Sequence, residues 1–179
     1  MELQNQKKLS DTRPSNDMLV WLANPLDGTT IALASNSVEE FVPNARLLSI
    51  PASEPCCQHI TIWHEQPVPV IFTRACHYIV NANIVVLNSN SADSPYIALA
   101  VSTAPVKKMV EDQGFAGFCS SDCGIWQAAL ISGFCRNGES IPIIDPSKLM
   151  SPETEFITNA NNACIKPGKF FAMQRQKAG

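Results

Sequence analysis

The tetrapeptide Ile-Ala-Leu-Ala occurs twice, at residues 31–34 and at residues 97–100. Each copy is followed by a short mixed apolar and charged segment, and each half-chain then ends in an apolar segment that contains proline, at residues 67–72 and 141–145. Four shared apolar residues alone are weak evidence, but the same order of elements after both copies favours one motif used twice. We therefore predict two related subdomains that contain equivalent strands.

Size and charge exclude several classes of protein. The chain has 179 residues, of which 45% are hydrophobic, and this is enough for one ordinary domain. Its net charge is -3, and its adjacent basic pairs are Lys7-Lys8 and Lys107-Lys108, so it lacks the basic surface that nucleic acid needs. The first residues are polar, and no apolar run is long enough for a membrane span. We expect a cytoplasmic protein without direct membrane insertion.

The cysteine pattern argues against a disulfide scaffold and against zinc. The count is odd, and several cysteines lie in strand-like segments, where a reduced thiol acts as a small hydrophobe. Structural zinc needs two knuckles of closely spaced ligands, and only Cys119 and Cys123 have that spacing. We predict no metal site and a reducing compartment. The seven cysteines are Cys56, Cys57, Cys76, Cys119, Cys123, Cys135 and Cys164.

No motif of an active site occurs in the sequence. A phosphate-binding Gly-Lys-Ser/Thr loop, a Gly-x-Ser-x-Gly elbow, a dinucleotide fingerprint and a His-Glu-x-x-His helix are all absent. A cysteine deprotonated by a histidine stays an alternative, because the chain has seven Cys and three His. We predict a protein that is not an enzyme and has no cofactor, with a small Cys/His enzyme as the rival.

Local patterns predict many short strands, which is typical of small barrels or sandwiches. Residues 18–22 and 29–34 form an antiparallel pair across an Asn-Pro and Asp-Gly turn, and Asn137-Gly138 is a hairpin turn. Pro67 and Pro69 cannot donate to a ladder, which places their strand at a sheet edge or a bulge. Ser37 and Glu40 have the spacing of a capping box, which predicts a helical turn.

Trp63 and His64 lie where a half-buried strand enters its hairpin. Residues 58–64 alternate, with Ile60 and Ile62 on one face and Trp63 on the other. Trp63 is either packed against the other subdomain or is an aromatic anchor at a protein interface, where binding energy concentrates. We expect Trp63→Ala to weaken partner binding with little loss of stability.

Residues 18–150 resemble the CheW-like family of coupling proteins in bacterial chemosensory arrays. Val38-Glu-Glu-Phe41 is similar to the family's Val-x-Glu-Ile/Val, and Pro69-Val-Ile stands in the place of its Pro-Val-Ile-Asp. Residues 141–149 are similar to its closing strand and helical turn. This resemblance covers about three quarters of the chain and depends on the order of the elements.

The resemblance implies a mostly β fold with two small SH3-like five-stranded barrels, short helical turns and strands exchanged between the barrels. It places a CheW-like domain at residues 17–150. Residues 1–16 are polar and lack periodicity, which predicts a disordered leader, and the weaker pattern of residues 151–179 predicts a short helix and a polar tail. The resemblance also implies an adaptor without catalysis, whose partners are chemoreceptor cytoplasmic tips and the regulatory domain of a histidine kinase.

One turn departs from the family pattern. Residues 62–65, Ile-Trp-His-Glu, replace the usual Asn-Leu-Arg-Gly, and His64 lacks the five donors and permanent charge of Arg. Phe72 also stands where Asp is usual. The resemblance then suggests a specialised member, such as those of type IV pilus twitching systems, or a structural array component without kinase coupling. The protein-binding residues that we predict are Val38, Glu40, Phe41, Trp63, His64 and Glu65.

Overall fold

The computed structural model describes residues 17–51, 58–74, 79–90, 94–110, 118–150, 156–158 and 163–165. The predicted leader at 1–16 lies outside these ranges, and of the predicted short helix and polar tail at 151–179 only residues 156–158 and 163–165 are described. None of the helices in the described part of the chain has the length and hydropathy that a membrane crossing requires.

Most of the described residues belong to short strands, as the alternating sequence patterns predict. Two 3₁₀ segments occupy Ser120–Ala129, which is interrupted at Gly124, and Pro146–Met150, the predicted helical turn. The strands are β1 Met18–Ala23, β2 Ile31–Ala34, β3 Val38–Arg46, β4 Leu48–Ser49, β5 His59–Trp63, β6 Gln66–Ile71, β7 Asn81–Asn88, β8 Tyr96–Ala100, β9 Val106–Val110, β10 Leu130–Arg136, β11 Glu139–Ile144, β12 Phe156–Thr158 and β13 Ala163–Ile165.

Two large sheets repeat one topology. Their strand orders are β9-β1-β2-β11-β10 and β3-β7-β8-β6-β5-β4, and β12 pairs with β13 in a separate two-stranded sheet. In the first sheet β2 pairs antiparallel with β1 and parallel with β11, and β8 pairs in the same way with β7 and β6 in the second. Each sheet therefore combines strands from both halves of the sequence. This mostly β, two-subdomain fold confirms the predicted fold class.

The six-stranded sheet closes on itself. Its edge strands β3 and β4 are separated in sequence by Leu47 alone, so one nearly continuous segment borders β7 at one end and β5 at the other. The Thr61 hydroxyl donates a 2.9 Å hydrogen bond to the carbonyl of Arg46, which joins β5 to the end of β3. The closure brings β3 and β5 side by side.

The two tetrapeptide copies are the equivalent central strands β2 and β8. The Ile and Leu of each copy, Ile31, Leu33, Ile97 and Leu99, are fully buried in one core shared by both sheets. Their alanines face the other way: Ala32 lies in a core confined to the first sheet, and Ala98 in a core confined to the second. The large Ile and Leu side chains of the tetrapeptide thus fill the space between the sheets, whereas the small side chains of Ala32 and Ala98 each lie in the core of their own sheet.

The predicted helical turn after Ser37 is wrong. Residues from Val38 onward form β3, which pairs antiparallel with β7. The Ser37 hydroxyl does not cap a helix but donates to the carbonyl of Ala34, 2.8 Å away, within the turn between β2 and β3. Pairing along a buried neighbouring strand outweighs this local capping pattern, which shares its residue types with turns.

The prediction that the proline-containing strand lies at a sheet edge or a bulge is also wrong. β6 lies inside its sheet, between β8 and β5. Pairing with β8 begins only at Val70, whereas Pro67 and Pro69 lie opposite residues of β5. Along β6, every second residue donates its N–H to β5, and Pro67 and Pro69 occupy the positions between these donors. Neither the pairing of β6 with β5 nor its pairing with β8 therefore needs the N–H groups that the prolines lack.

The inward face of β5 is the polar one. His59 and Thr61 are buried, while Ile62 is 56% exposed. The ring of His59 lies 5.2 Å from that of Phe72, centroid to centroid. Burial lowers the pKa of His59 below its usual 6.5.

This buried histidine should make the protein less stable in mild acid. The unfolded chain takes up a proton near pH 6.5, whereas the folded chain resists it, so the free energy of unfolding falls as the pH falls below that value. The slope from one such group is at most about 1.4 kcal/mol per pH unit. Urea unfolding between pH 7.5 and pH 5 should show this loss, and His59→Gln should flatten it. An equal slope in both proteins would exclude His59 as its source.

A tryptophan that sequence reasoning did not single out holds the first 3₁₀ segment in the fold. Trp126, in the segment Ser120–Ala129, is fully buried in the shared core. Its indole N–H donates to Asp27 Oδ2 at 3.1 Å and to Thr29 Oγ1 at 2.9 Å. Trp126 thereby ties the segment before β10 to the turn between β1 and β2.

Candidate protein-binding surface

The turn between β5 and β6 has an unusual composition for its backbone geometry. Its two central residues, His64 and Glu65, have φ values of 45° and 64°. Positive φ at both positions is the geometry of the tight two-residue hairpin, in which Asn-Gly is strongly preferred. The equivalent hairpin of the other sheet, between β10 and β11, has Asn137 and Gly138 there, at 52° and 82°. The His-Glu turn therefore carries backbone strain that its counterpart avoids.

Two predicted residues meet around the carboxylate of a third, Glu40. The indole N–H of Trp63 donates to Glu40 Oε2 over 2.7 Å, although the two residues are 23 positions apart. Nε2 of His64 lies 3.7 Å from the same oxygen. The side chain of His64 is 72% exposed and that of Glu40 is 49% exposed, so this cluster faces solvent.

Aromatic contacts give Trp63 a fixed orientation. Its ring stacks on His64 with centroids 4.3 Å apart, and meets Tyr96 edge-on at 4.9 Å. One side of Trp63 packs against the core of the six-stranded sheet and it is half-buried. The described contacts of Trp63 are with its own sheet rather than with the other subdomain, and its role as an anchor at a protein interface stays a prediction.

An irregularity at the start of β3 presents two adjacent carboxylates. The register with β7 shifts between Val38 and Glu40, and both Glu39 and Glu40 are exposed as a result. Glu39 Oε1 accepts a 3.2 Å hydrogen bond from the Asn88 side-chain amide. We define the turn surface as Glu39, Glu40, Trp63, His64, Glu65 and Tyr96. It combines an aromatic centre with three acidic side chains.

Of the remaining predicted site residues, Glu65 belongs to the turn surface, whereas Val38 and Phe41 lie apart from it. Val38 and Phe41 are half-buried and pack against the shared core, on the opposite side of β3 from Glu40. Glu65 is exposed at the tip of the turn. Sequence reasoning did not identify Tyr96, although an aromatic residue directly before the second Ile-Ala-Leu-Ala was a usable signal.

The described residues give little support to a metal site or to a Cys/His active site. No group of three His, Cys, Asp or Glu side chains in that part of the chain is arranged to hold a metal ion. Of the two histidines described, His59 packs on Phe72, and His64 faces Glu40 and Trp63. Three of the seven cysteines and the third histidine lie outside the described ranges, namely Cys56, Cys57, Cys76 and His77, and only the backbone of Cys164 is described.

The strain in the turn gives a direct prediction. Replacing His64 and Glu65 together by Asn and Gly should raise the free energy of unfolding by about 1–2 kcal/mol, because both new residues accept positive φ. Part of the gain is offset by the lost stacking of His64 on Trp63. Urea unfolding measures the change, and Asn137 with Gly138 shows that this pair suits the same turn in this fold. A less stable double variant would show that the side chains of the native turn outweigh its strain.

Known proteins resemble this chain in fold and not in sequence. No protein-family model and no curated protein matches the sequence. Among solved structures, the scaffolding protein TtCheW from Thermoanaerobacter tengcongensis matches 84% of this chain and 98% of its own, with a TM-score of 0.58 and 14% sequence identity. The chain therefore has the fold of a CheW scaffolding protein.

Proposed function

We propose that the protein is a non-enzymatic adaptor of a bacterial chemosensory system, located in the cytoplasm, that links chemoreceptor tips to the regulatory domain of a histidine kinase. The observation that carries the proposal is the architecture. Two sheets of equivalent topology exchange strands around one shared core, and the same fold is found in TtCheW over almost all of that scaffolding protein. The family resemblance of residues 18–150 supplies the partners.

The turn surface is the part of the molecule that we propose binds a partner. A half-buried tryptophan held by a hydrogen bond and two ring contacts is pre-organised, so little side-chain entropy is lost when a partner covers it. Glu40 and Glu39 add negative charge beside this tryptophan. The family pattern instead has a positively charged arginine at the position of His64. We therefore expect this surface to select a partner with complementary basic groups. Val38 and Phe41 support it from the core side of β3.

The turn variant separates binding from stability. Purified receptor tips and the kinase regulatory domain are each immobilised, and capture of the wild-type protein is compared with that of the His64→Asn, Glu65→Gly double variant. We expect at least one partner to bind the wild type and to bind the variant more weakly, even though the variant is the more stable protein. Gln127→Ala, an exposed change in the first 3₁₀ segment, is the control and should bind normally.

Each outcome of that experiment is informative. Capture by neither partner would contradict the adaptor function, and capture by receptor tips alone would favour an array component without kinase coupling. Equal capture of the wild type and the turn variant would place the binding surface elsewhere.

We propose that the signalling system controls type IV pilus twitching, because the turn at residues 62–65 departs from the family pattern. Loss of twitching after deletion of the gene tests this proposal.

A further inference from the structure

The β10–β11 hairpin carries an exposed cysteine opposite a serine. Cys135 is exposed and lies directly opposite Ser140 in the antiparallel register. Directly opposed side chains project from the same face, with Cβ atoms about 4.5–5.5 Å apart. Gly133 lies two residues before Cys135 and therefore shares this face.

A second cysteine is held over the same face by two independent contacts. The backbone N–H of Cys119 donates to the hydroxyl of Ser140 over 3.2 Å. The ring of the preceding residue, Phe118, fills the space above Gly133, where a Cβ atom would overlap it. Residues 118–119 thus cross the hairpin, and Cys119 and Cys135 both border the side chain of Ser140.

The third cysteine of this region is differently placed. Cys123 is 4% exposed and belongs to the shared core. Its thiol points back at the carbonyl of Cys119, with a separation of 3.9 Å from sulfur to oxygen. Cys119 is exposed, as is Cys135. Solvent therefore reaches the two thiols beside Ser140 and is kept from Cys123.

We propose that Cys119 and Cys135 form a reversible dithiol–disulfide pair that exchanges with small-molecule disulfides of the glutathione type. The thiolate of one cysteine attacks a sulfur of oxidised glutathione, which breaks that S–S bond, forms a mixed disulfide and releases one glutathione thiolate. The second cysteine, after losing its proton to solvent, attacks the protein sulfur of the mixed disulfide and releases the other glutathione thiolate. Two protein thiols are oxidised and one glutathione disulfide is reduced to two thiols.

The bridge would join the entry of the Ser120–Ala129 segment to the β10–β11 hairpin. That segment carries Trp126, which already ties it to the turn between β1 and β2. Oxidation would close a loop between residues 119 and 135, both of which border Ser140 before the bond forms. Pre-organised loops close readily because the thiols meet at high effective concentration.

Mass spectrometry of the folded full-length protein tests the pair. The protein is incubated with oxidised glutathione, remaining thiols are alkylated, and the chain is digested with an Asp-specific protease and chymotrypsin. Cleavage before Asp122 and after Trp126 puts the three cysteines on separate peptides, whereas trypsin leaves them together because no Lys or Arg lies between Lys108 and Arg136. We expect a linked pair of peptides that contain Cys119 and Cys135, which dithiothreitol separates.

Matched variants decide the geometry. Cys135→Ser should stop the reaction at a glutathione adduct on Cys119, and Ser140→Ala should slow closure about fivefold, the equivalent of one net hydrogen bond. Circular dichroism establishes that both variants are folded. Glutathione adducts on both cysteines without a link, a link from Cys119 to Cys123, or an unchanged rate in Ser140→Ala would each overturn the proposal.

Discussion

Trp126→Ala is expected to lower the free energy of unfolding by about 3–5 kcal/mol, the usual cost of removing a large aromatic side chain from a core. Trp126 has 0% of its surface exposed and lies among residues of both sheets. The deletion leaves a cavity in the shared core and removes an N–H that donates to Asp27 and Thr29. Since small domains are stable by only about 5–15 kcal/mol, much of the stability of this fold depends on one side chain.

Urea unfolding followed by far-ultraviolet circular dichroism measures this effect without depending on tryptophan fluorescence. Trp126→Phe keeps one aromatic ring but loses the indole N–H and part of the buried volume, and should cost about 1–3 kcal/mol, less than Trp126→Ala. Gln127→Ala, on the exposed neighbouring residue, should stay within about 0.5 kcal/mol of the wild type. A loss below about 1 kcal/mol in Trp126→Ala would mean that the 3₁₀ segment does not stabilise the shared core.

Periodic patterns predicted the strands well, because alternation is imposed by burial on one face. The repeated tetrapeptide indicated equivalent strands, and β2 and β8 occupy equivalent places with equivalent registers. The exchange of strands between the sheets was predicted only from the family resemblance, because the residues of a strand do not determine which strands pair with it. The helical turn after Ser37 was wrong because a capping pattern is local, while the pairing of β3 with β7 is set by the whole sheet.

The candidate site was predictable in its residues but not in its geometry. An aromatic residue at a hairpin entrance and an acidic pair are visible in the sequence, and these were singled out. Their contact depends on the closure of the six-stranded sheet, which brings β3 beside β5 and lets Glu40 accept from Trp63. Trp126 carried no signal at all, because its partners Asp27 and Thr29 are 99 and 97 positions away.

The two copies of the tetrapeptide should also be equivalent in energy. Leu33 and Leu99 are both fully buried in the shared core and occupy matching positions, opposite Ile144 and Ile71 in their parallel pairings. We expect Leu33→Ala and Leu99→Ala each to lower the free energy of unfolding by about 2–5 kcal/mol, through lost burial and the cavity left behind. Urea unfolding of the two variants in parallel measures both values.

The alanines of the same copies give the complementary test. Ala98 faces the interior of the closed sheet and is fully buried, so Ala98→Leu should cost about 1–3 kcal/mol through overpacking. Met109→Ala, on a side chain that is 62% exposed, should change stability by less than about 0.5 kcal/mol. If Leu33→Ala cost only a small fraction of what Leu99→Ala costs, the first copy would not support the shared core as the second does. The two copies would then be equivalent in the position of their strands but not in their contribution to the free energy of unfolding.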